Sequence, residues 1–253
     1  MPTVLAIETA TTSLGVALAS GDGLRARTEI APSRRHAESL TAAVGFLSGQ
    51  AGIPLSSLDA VAVDVGPGLF TGLRVGVATA ASLAYALGIG VVPVRATDAV
   101  AHAAHAPHAR PAGRPVAAVL DARRGELYAA VPGLIEPFVA APAVVLERLL
   151  APGVELLLCG EGAALLDPLL ADRPGSEGGD RLRPGPRRPP DPLAVAELAL
   201  VHLAEAVAPE AVAPLYLRAP DAQITWDTRH GAAADRVPDR VPDREPVVSR
   251  EGA

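Results

Sequence analysis

The chain has 253 residues, 49% of them hydrophobic, and a formal net charge of -6 at pH 7. That length suits one to two domains with a sizeable core, which excludes disorder as the main state, and the acidic balance excludes a protein that holds nucleic acid by a basic field of its own. A single cysteine, Cys159, excludes a disulfide scaffold and a zinc ribbon, while the absence of lysine excludes a Walker A loop and Schiff-base chemistry.

The N-terminus has no basic stretch and meets Glu8 early, so it reads as a buried strand rather than a signal peptide. Val4 to Ala10, Leu14 to Ser20 and Leu24 to Ala31 predict a three-stranded meander with a turn at Gly21-Asp22-Gly23. A helix follows from Ser33 or His36, with Leu40, Val44 and Leu47 at helical spacing, until Gly49 and Gly52 stop it. Val61 to Val65 is a continuous apolar strand that runs through Gly66-Pro67-Gly68 into a long helix from about Thr71 to Leu87. The uncharged run 75–94 is long enough for a membrane span, but it is weakly apolar, and Gly88, Gly90 and Pro93 divide it into a helix and the strand Val91 to Val94. Thr97-Asp98 is expected to cap a helix carrying His102, His105 and His108.

Pro107 to Pro115 reads as a connector. Strands are expected at Val116 to Leu120, Glu126 to Val131, Glu155 to Cys159 and Leu215 to Arg218, with a helix from the cap Asp191-Pro192 to about Ala206. Residues 172–191 are dominated by Pro, Gly and Arg and are expected to form a mobile loop. After Pro220 the unit Asp-Arg-Val-Pro at 235–238 repeats at 239–242 and, as Asp-Arg-Glu-Pro, at 243–246, which reads as a disordered tail. The expected organisation is therefore an α/β chain with lobes at 1–106 and 107–218, a tail at 219–253, and a ligand crevice between the lobes.

Three groups of residues point towards chemistry or binding. The segment Gly66-Pro67-Gly68-Leu69-Phe70-Thr71-Gly72-Leu73-Arg74-Val75-Gly76 could present backbone N–H groups to a phosphate at a helix start, or could simply permit a tight turn with close packing. Gly72, Gly76, Ala80 and Ala84 recur every four residues, a stripe that admits either a partner helix or the chain's own sheet. His102, His105 and His108 step around their helix and lack a carboxylate to complete a metal site, and His36 with Glu38 lacks the thiolates of a deaminase. The group Asp121, Arg123, Arg124, Glu126 reads as a charged hairpin turn.

Taken with Ile7-Glu8-Thr9-Ala10-Thr11-Thr12-Ser13, His36-Ala37-Glu38, Leu120-Asp121-Ala122-Arg123-Arg124-Gly125-Glu126-Leu127-Tyr128 and Pro214-Leu215-Tyr216-Leu217-Arg218, these segments resemble the TsaB, or YeaZ, family. The resemblance covers most of residues 1–218. It implies an actin/hexokinase/Hsp70-like fold of two related lobes with mixed sheets, and a cytoplasmic, non-catalytic subunit of the machinery that makes threonylcarbamoyladenosine in tRNA. In the family the helices after His36 and after Phe70 pack against the same helices of the catalytic relative TsaD, and the pair recruits the ATPase TsaE and tRNA. The interface residues expected on that basis are His36, Leu40, Val44, Leu47, Gly72, Leu73, Gly76, Val77, Ala80 and Ala84, with a homodimer through the same helices when TsaD is absent. TsaD carries an H-x-x-x-H metal site on the helix that begins here at His36, where position 40 is Leu40. A sugar kinase of this fold wants Asp and Gly where this chain has Glu8-Thr9-Ala10, so Glu8, Thr9, Gly66 and Gly68 are expected to be remnants of a phosphate site. ATP and metal are expected on the partner subunits. The rival readings are an active kinase or carbamoyl transferase using Asp64 or Asp121 as base, and a metallopeptidase of the glycoprotease type, which the lack of a second histidine disfavours.

Overall fold

β1 (Thr3–Glu8) is apolar at nearly every position because it runs in the middle of a sheet covered on both faces. A computed structural model describes residues 1–23, 25–30, 36–105, 113–172 and 181–218. β1 pairs antiparallel with β2 (Leu14–Ser20), β2 with β3 (Arg25–Ile30), and β1 pairs in parallel with β4 (Ala60–Gly66), which pairs in parallel with β5 (Gly90–Arg95). α1 (His36–Ala51) connects β3 to β4, α2 (Phe70–Leu87) connects β4 to β5, and α3 (Ala96–Ala104) follows β5. Gly88 closes α2 at φ 69°, with its N–H donated to the carbonyls of Ala84 and Tyr85.

The second half repeats the same plan. β6 (Val116–Arg123), β7 (Glu126–Val131) and β8 (Ile135–Ala140) form the antiparallel meander, and β9 (Leu156–Cys159) and β10 (Leu182–Pro184) add in parallel beside β6. α4 (Pro142–Leu150), α5 (Asp167–Ala171) and α6 (Pro192–Val201) occupy the places of α1, α2 and α3. Both sheets therefore have one order, meander edge to parallel edge: β3-β2-β1-β4-β5 and β8-β7-β6-β9-β10.

The two halves share their last helices. Ala194, Val195, Ala196 and Ala199 of α6 pack on the β1 sheet with Val4, Ala6, Ala17 and Ala19. Ala96, Val100, Ala101 and Ala104 of α3 pack on the β6 sheet with Val116, Ala118 and Leu120. Small side chains on both sides allow this close helix-on-sheet contact, and residues 1–218 form one compact unit. α6, within the expected C-terminal lobe of 107–218, packs in the core of the first sheet.

Several local expectations also change. Leu182–Pro184, inside the expected mobile loop 172–191, is strand β10 beside β9; residues 173–180 lie outside the described residues. Leu215 to Arg218 is no strand, although the Leu215 N–H donates to the Val65 carbonyl at 2.7 Å. α3 starts at Ala96 with Arg95 at its cap position, so Thr97-Asp98 lies in the first turn. α6 has the expected Asp191 cap, whose carboxylate accepts from Leu193 N–H, but ends at Val201. β8 and α4 were not anticipated: Pro137 argues against a strand but is tolerated on the edge that β8 occupies. Ser33, the connector 106–112 with His108, and the tail 219–253 lie outside the described residues.

Candidate functional site

Four stretches that are far apart in sequence meet where β1 and β4 end and α2 begins. The Leu69 N–H donates to the Ala10 carbonyl at 2.7 Å, so the turn 9–13 after β1 lies on the turn 66–69 after β4. A Cβ at Gly68 would collide with the Ala10 carbonyl, and one at Gly76 would collide with the Thr9 hydroxyl, which donates to the Gly72 carbonyl at 2.8 Å. Gly66 has φ 103° and lies against the Leu215 carbonyl. Of the two readings of the glycine segment, tight turning and close packing account for the positions of Gly66, Gly68 and Gly76.

The same corner carries two buried acids. Glu8 and Asp64 each follow the last register pair of the parallel strands β1 and β4, Ile7 with Val63, and both are buried. Glu8 accepts from the Ala10 N–H at 2.8 Å, and Asp64 Oδ1 from the Gly66 N–H at 2.7 Å. Asp64 Oδ2 is buried and has no hydrogen-bond partner among the described residues. Burial, reinforced by the charge of Asp64, holds the Glu8 carboxyl well above its usual range, and burial pushes Asp64 up to about 8. Burial raises Glu161 as well, and the nearby Asp121 adds to it.

Asp121 is held by its own turn. Its carboxylate accepts from the Arg123 N–H at 2.7 Å and from Arg123 Nη1 at 2.9 Å, closing the turn between β6 and β7. Arg123, Arg124 and Gly125 follow one another in left-handed backbone, at φ 63°, 55° and 77°. Glu126 accepts from Arg218 at 2.9 Å, and the Tyr128 hydroxyl reaches the Gly68 carbonyl at 3.4 Å, which ties this turn to the glycine segment. Tyr216 stacks on Phe70 with ring centroids 5.0 Å apart, the Arg74 guanidinium lies 4.0 Å above the Phe70 ring, and Arg74 Nε donates to the Tyr216 hydroxyl at 3.2 Å. Sequence reasoning quoted the motifs containing these three residues but gave them no role; the i, i+4 spacing of Phe70 and Arg74 at a helix start was the available signal.

The expected interface residues need correction. Leu40, Val44 and Leu47 point into the core under the β1 sheet, at 1%, 5% and 4% exposure. Gly72, Leu73, Gly76, Val77, Ala80 and Ala84 are likewise the buried side of α2. The small-residue stripe lets α2 approach its own sheet. Of those residues only Val44 also borders the outward groove between the two helices, a space of about 550 Å³ lined by Thr41, Gly45, Ala78, Thr79 and Ser82 among others. The His36 side chain lies outside the described ones.

His102 and His105 make local contacts. His102 Nε2 lies 3.0 Å from Glu197, and His105 Nδ1 lies 2.8 Å from the Ala101 carbonyl. Among the described residues no three His, Cys, Asp or Glu side chains form a group able to hold a metal. α2 is, among the described helices, the one long and apolar enough to cross a bilayer, yet its inward side is packed on the sheet.

Duplicated sheets of this order with exchanged final helices define an actin/hexokinase/Hsp70-like fold. The tRNA threonylcarbamoyladenosine biosynthesis protein TsaB of Escherichia coli is 31% identical to the chain over 226 residues, 85% of this chain and 94% of that protein. The chain belongs to the TsaB family. An uncharacterized protein of Mycobacterium tuberculosis is 36% identical over 232 residues, 87% of this chain and 94% of the relative. The solved structure of YeaZ from Pseudomonas aeruginosa superposes with a TM-score of 0.67 at 27% identity, covering 86% of this chain and 100% of that one. The family described as TsaD, tRNA N6-adenosine threonylcarbamoyltransferase, matches residues 29–150.

Proposed function

We propose that the chain is a non-catalytic cytoplasmic subunit of tRNA threonylcarbamoyladenosine biosynthesis, which pairs with TsaD through the outward faces of α1 and α2 and recruits TsaE, with tRNA engaged by the assembly. The observation that carries this reading is the outward helix pair. Thr41, Gly45, Ala78, Thr79 and Ser82 line a shallow, largely apolar groove, and the exposed Phe46 and Tyr85 stand on the same two helices. A Cβ at Gly45 would meet open space, so this glycine leaves room for a neighbouring helix rather than for the chain's own core. An apolar face of this kind favours association, and a second copy covers it when TsaD is absent.

The acids support the same reading. Asp64, which a kinase or carbamoyl transferase of this fold would need as base, is buried, and Asp121 is tied to Arg123. ATP and metal belong to the partner subunits in this reading.

Ala78→Arg places a charge in the middle of the groove without touching the core, because Ala78 is exposed. It is expected to abolish co-purification with TsaD and to convert the homodimer to monomer in light scattering, with a melting temperature within about 2 °C of the parent. Normal assembly of this variant would remove the interface. Calorimetry of the isolated chain with Mg-ATP is expected to show no binding tighter than about a micromolar. Stoichiometric tight binding would overturn the non-catalytic reading.

A further inference from the structure

We propose that the stack formed by half-buried Phe70 with exposed Arg74 and Tyr216 is a docking point for an unpaired RNA base and its phosphate. The inference rests on the reading above that the assembly acts on tRNA, and gives this chain a direct part in holding the RNA. Aromatic residues make up only 3% of the chain, so two stacked at the surface need a reason. Tyr216 is 40% exposed, with its ring tilted 33° from Phe70, so the pair leaves ring surface open to solvent.

Arg74 is placed differently from most of the described arginines. Arg25, Arg27, Arg95, Arg114, Arg187 and Arg218 each meet a carboxylate. Arg74 is exposed and is held instead by a ring face and a tyrosine hydroxyl, with no carboxylate partner among the described residues. Its charge is oriented but not neutralised. A phosphate can therefore engage it without displacing an acid, while the attached base stacks on the open ring. The turn between β6 and β7 is joined to this corner through Glu126–Arg218 and Tyr128–Gly68, so the stack sits on a braced surface.

An acidic chain grips RNA weakly by overall field, so one stacked base flanked by arginine suits this surface better than a long duplex footprint. A protein segment is the other class of occupant, and the experiment separates the two.

The probe is a fluorescein-labelled RNA hairpin with a seven-nucleotide unpaired loop, titrated against the full chain in complex with TsaD and read by anisotropy. Arg74→Gln and Tyr216→Leu are each expected to weaken hairpin binding about tenfold, and Arg74→Gln to lower the salt slope by about one. Tyr216→Phe, which keeps the ring, should recover most of the affinity lost in Tyr216→Leu. A fully paired duplex of equal length should bind the parent and both variants alike. Unchanged hairpin affinity in Arg74→Gln and Tyr216→Leu overturns the proposal, as does an equal loss on the duplex. Loss of TsaD co-purification in these variants would assign the stack to a protein partner and also overturn it. The Ala78→Arg result above is independent of this outcome, so failure here leaves the helix-pair reading standing.

Discussion

Gly76→Ala is expected to destabilise the folded chain by about 2–3 kcal/mol, although alanine in a helix interior ordinarily gains up to about 1 kcal/mol over glycine. The cause is one contact: the new Cβ collides with Thr9 Oγ1, whose hydroxyl is bonded to the Gly72 carbonyl on the same helix. Thr9→Ala alone removes that bond and should cost about 1 kcal/mol. In the double variant the obstructing oxygen is gone, and the Thr9 Cβ position stands at an ordinary 3.5 Å from the added Cβ. The double variant should therefore be more stable than Gly76→Ala, with a coupling energy above about 1 kcal/mol in urea unfolding. Gly76→Leu, which the stripe read from sequence would make an interface variant, should instead lose its fold. Parent-like stability of Gly76→Ala would show that α2 lies further from β1 than described.

Asp64→Asn is expected to stabilise the protein at pH 8 by about 2 kcal/mol or more, and to make little difference at pH 4. An unfolded Asp gives up its proton near pH 3.9, whereas burial pushes Asp64 to about 8 in the folded chain. Between those values the folded state holds a proton that the unfolded state has released, so parent stability falls as pH rises through this window and levels off above it. Asparagine carries no charge at any pH and keeps the oxygen that accepts from the Gly66 N–H. Glu8, raised in the same direction, should give Glu8→Gln a similar pH profile. Urea melts from pH 4 to pH 9 test this, and a stability difference independent of pH would mean that the acid is hydrated rather than buried.

Those buried acids also mark what a single sequence could not disclose. Glu8 and Asp64 are 56 positions apart, and only the parallel pairing of β1 with β4 makes them neighbours. Phe70 and Tyr216 are further apart still, and Tyr216 arrives through one backbone bond from Leu215 to Val65 rather than through the strand expected there. The family-marking motifs could be quoted from the chain, but their convergence on one corner is a property of the duplicated sheets.

Local pattern was enough for the elements whose burial is uniform along the chain. Continuous apolar runs specified β1, β2, β4, β6 and β9, and glycines specified where α2 begins and ends, because those constraints act between residues near in sequence. The choice of face was different. α2 has small or apolar residues on more than one side, so periodicity could not say which side meets the sheet, and the i, i+4 glycines were as compatible with a partner as with a core. Tertiary packing decided it: the Thr9 hydroxyl and the core side chains of the β1 sheet fill the space beside Gly72 and Gly76, leaving Ala78, Thr79 and Ser82 to face outward. The exchange of α3 and α6 between the halves was decided the same way, by which sheet offered alanines small enough to receive them.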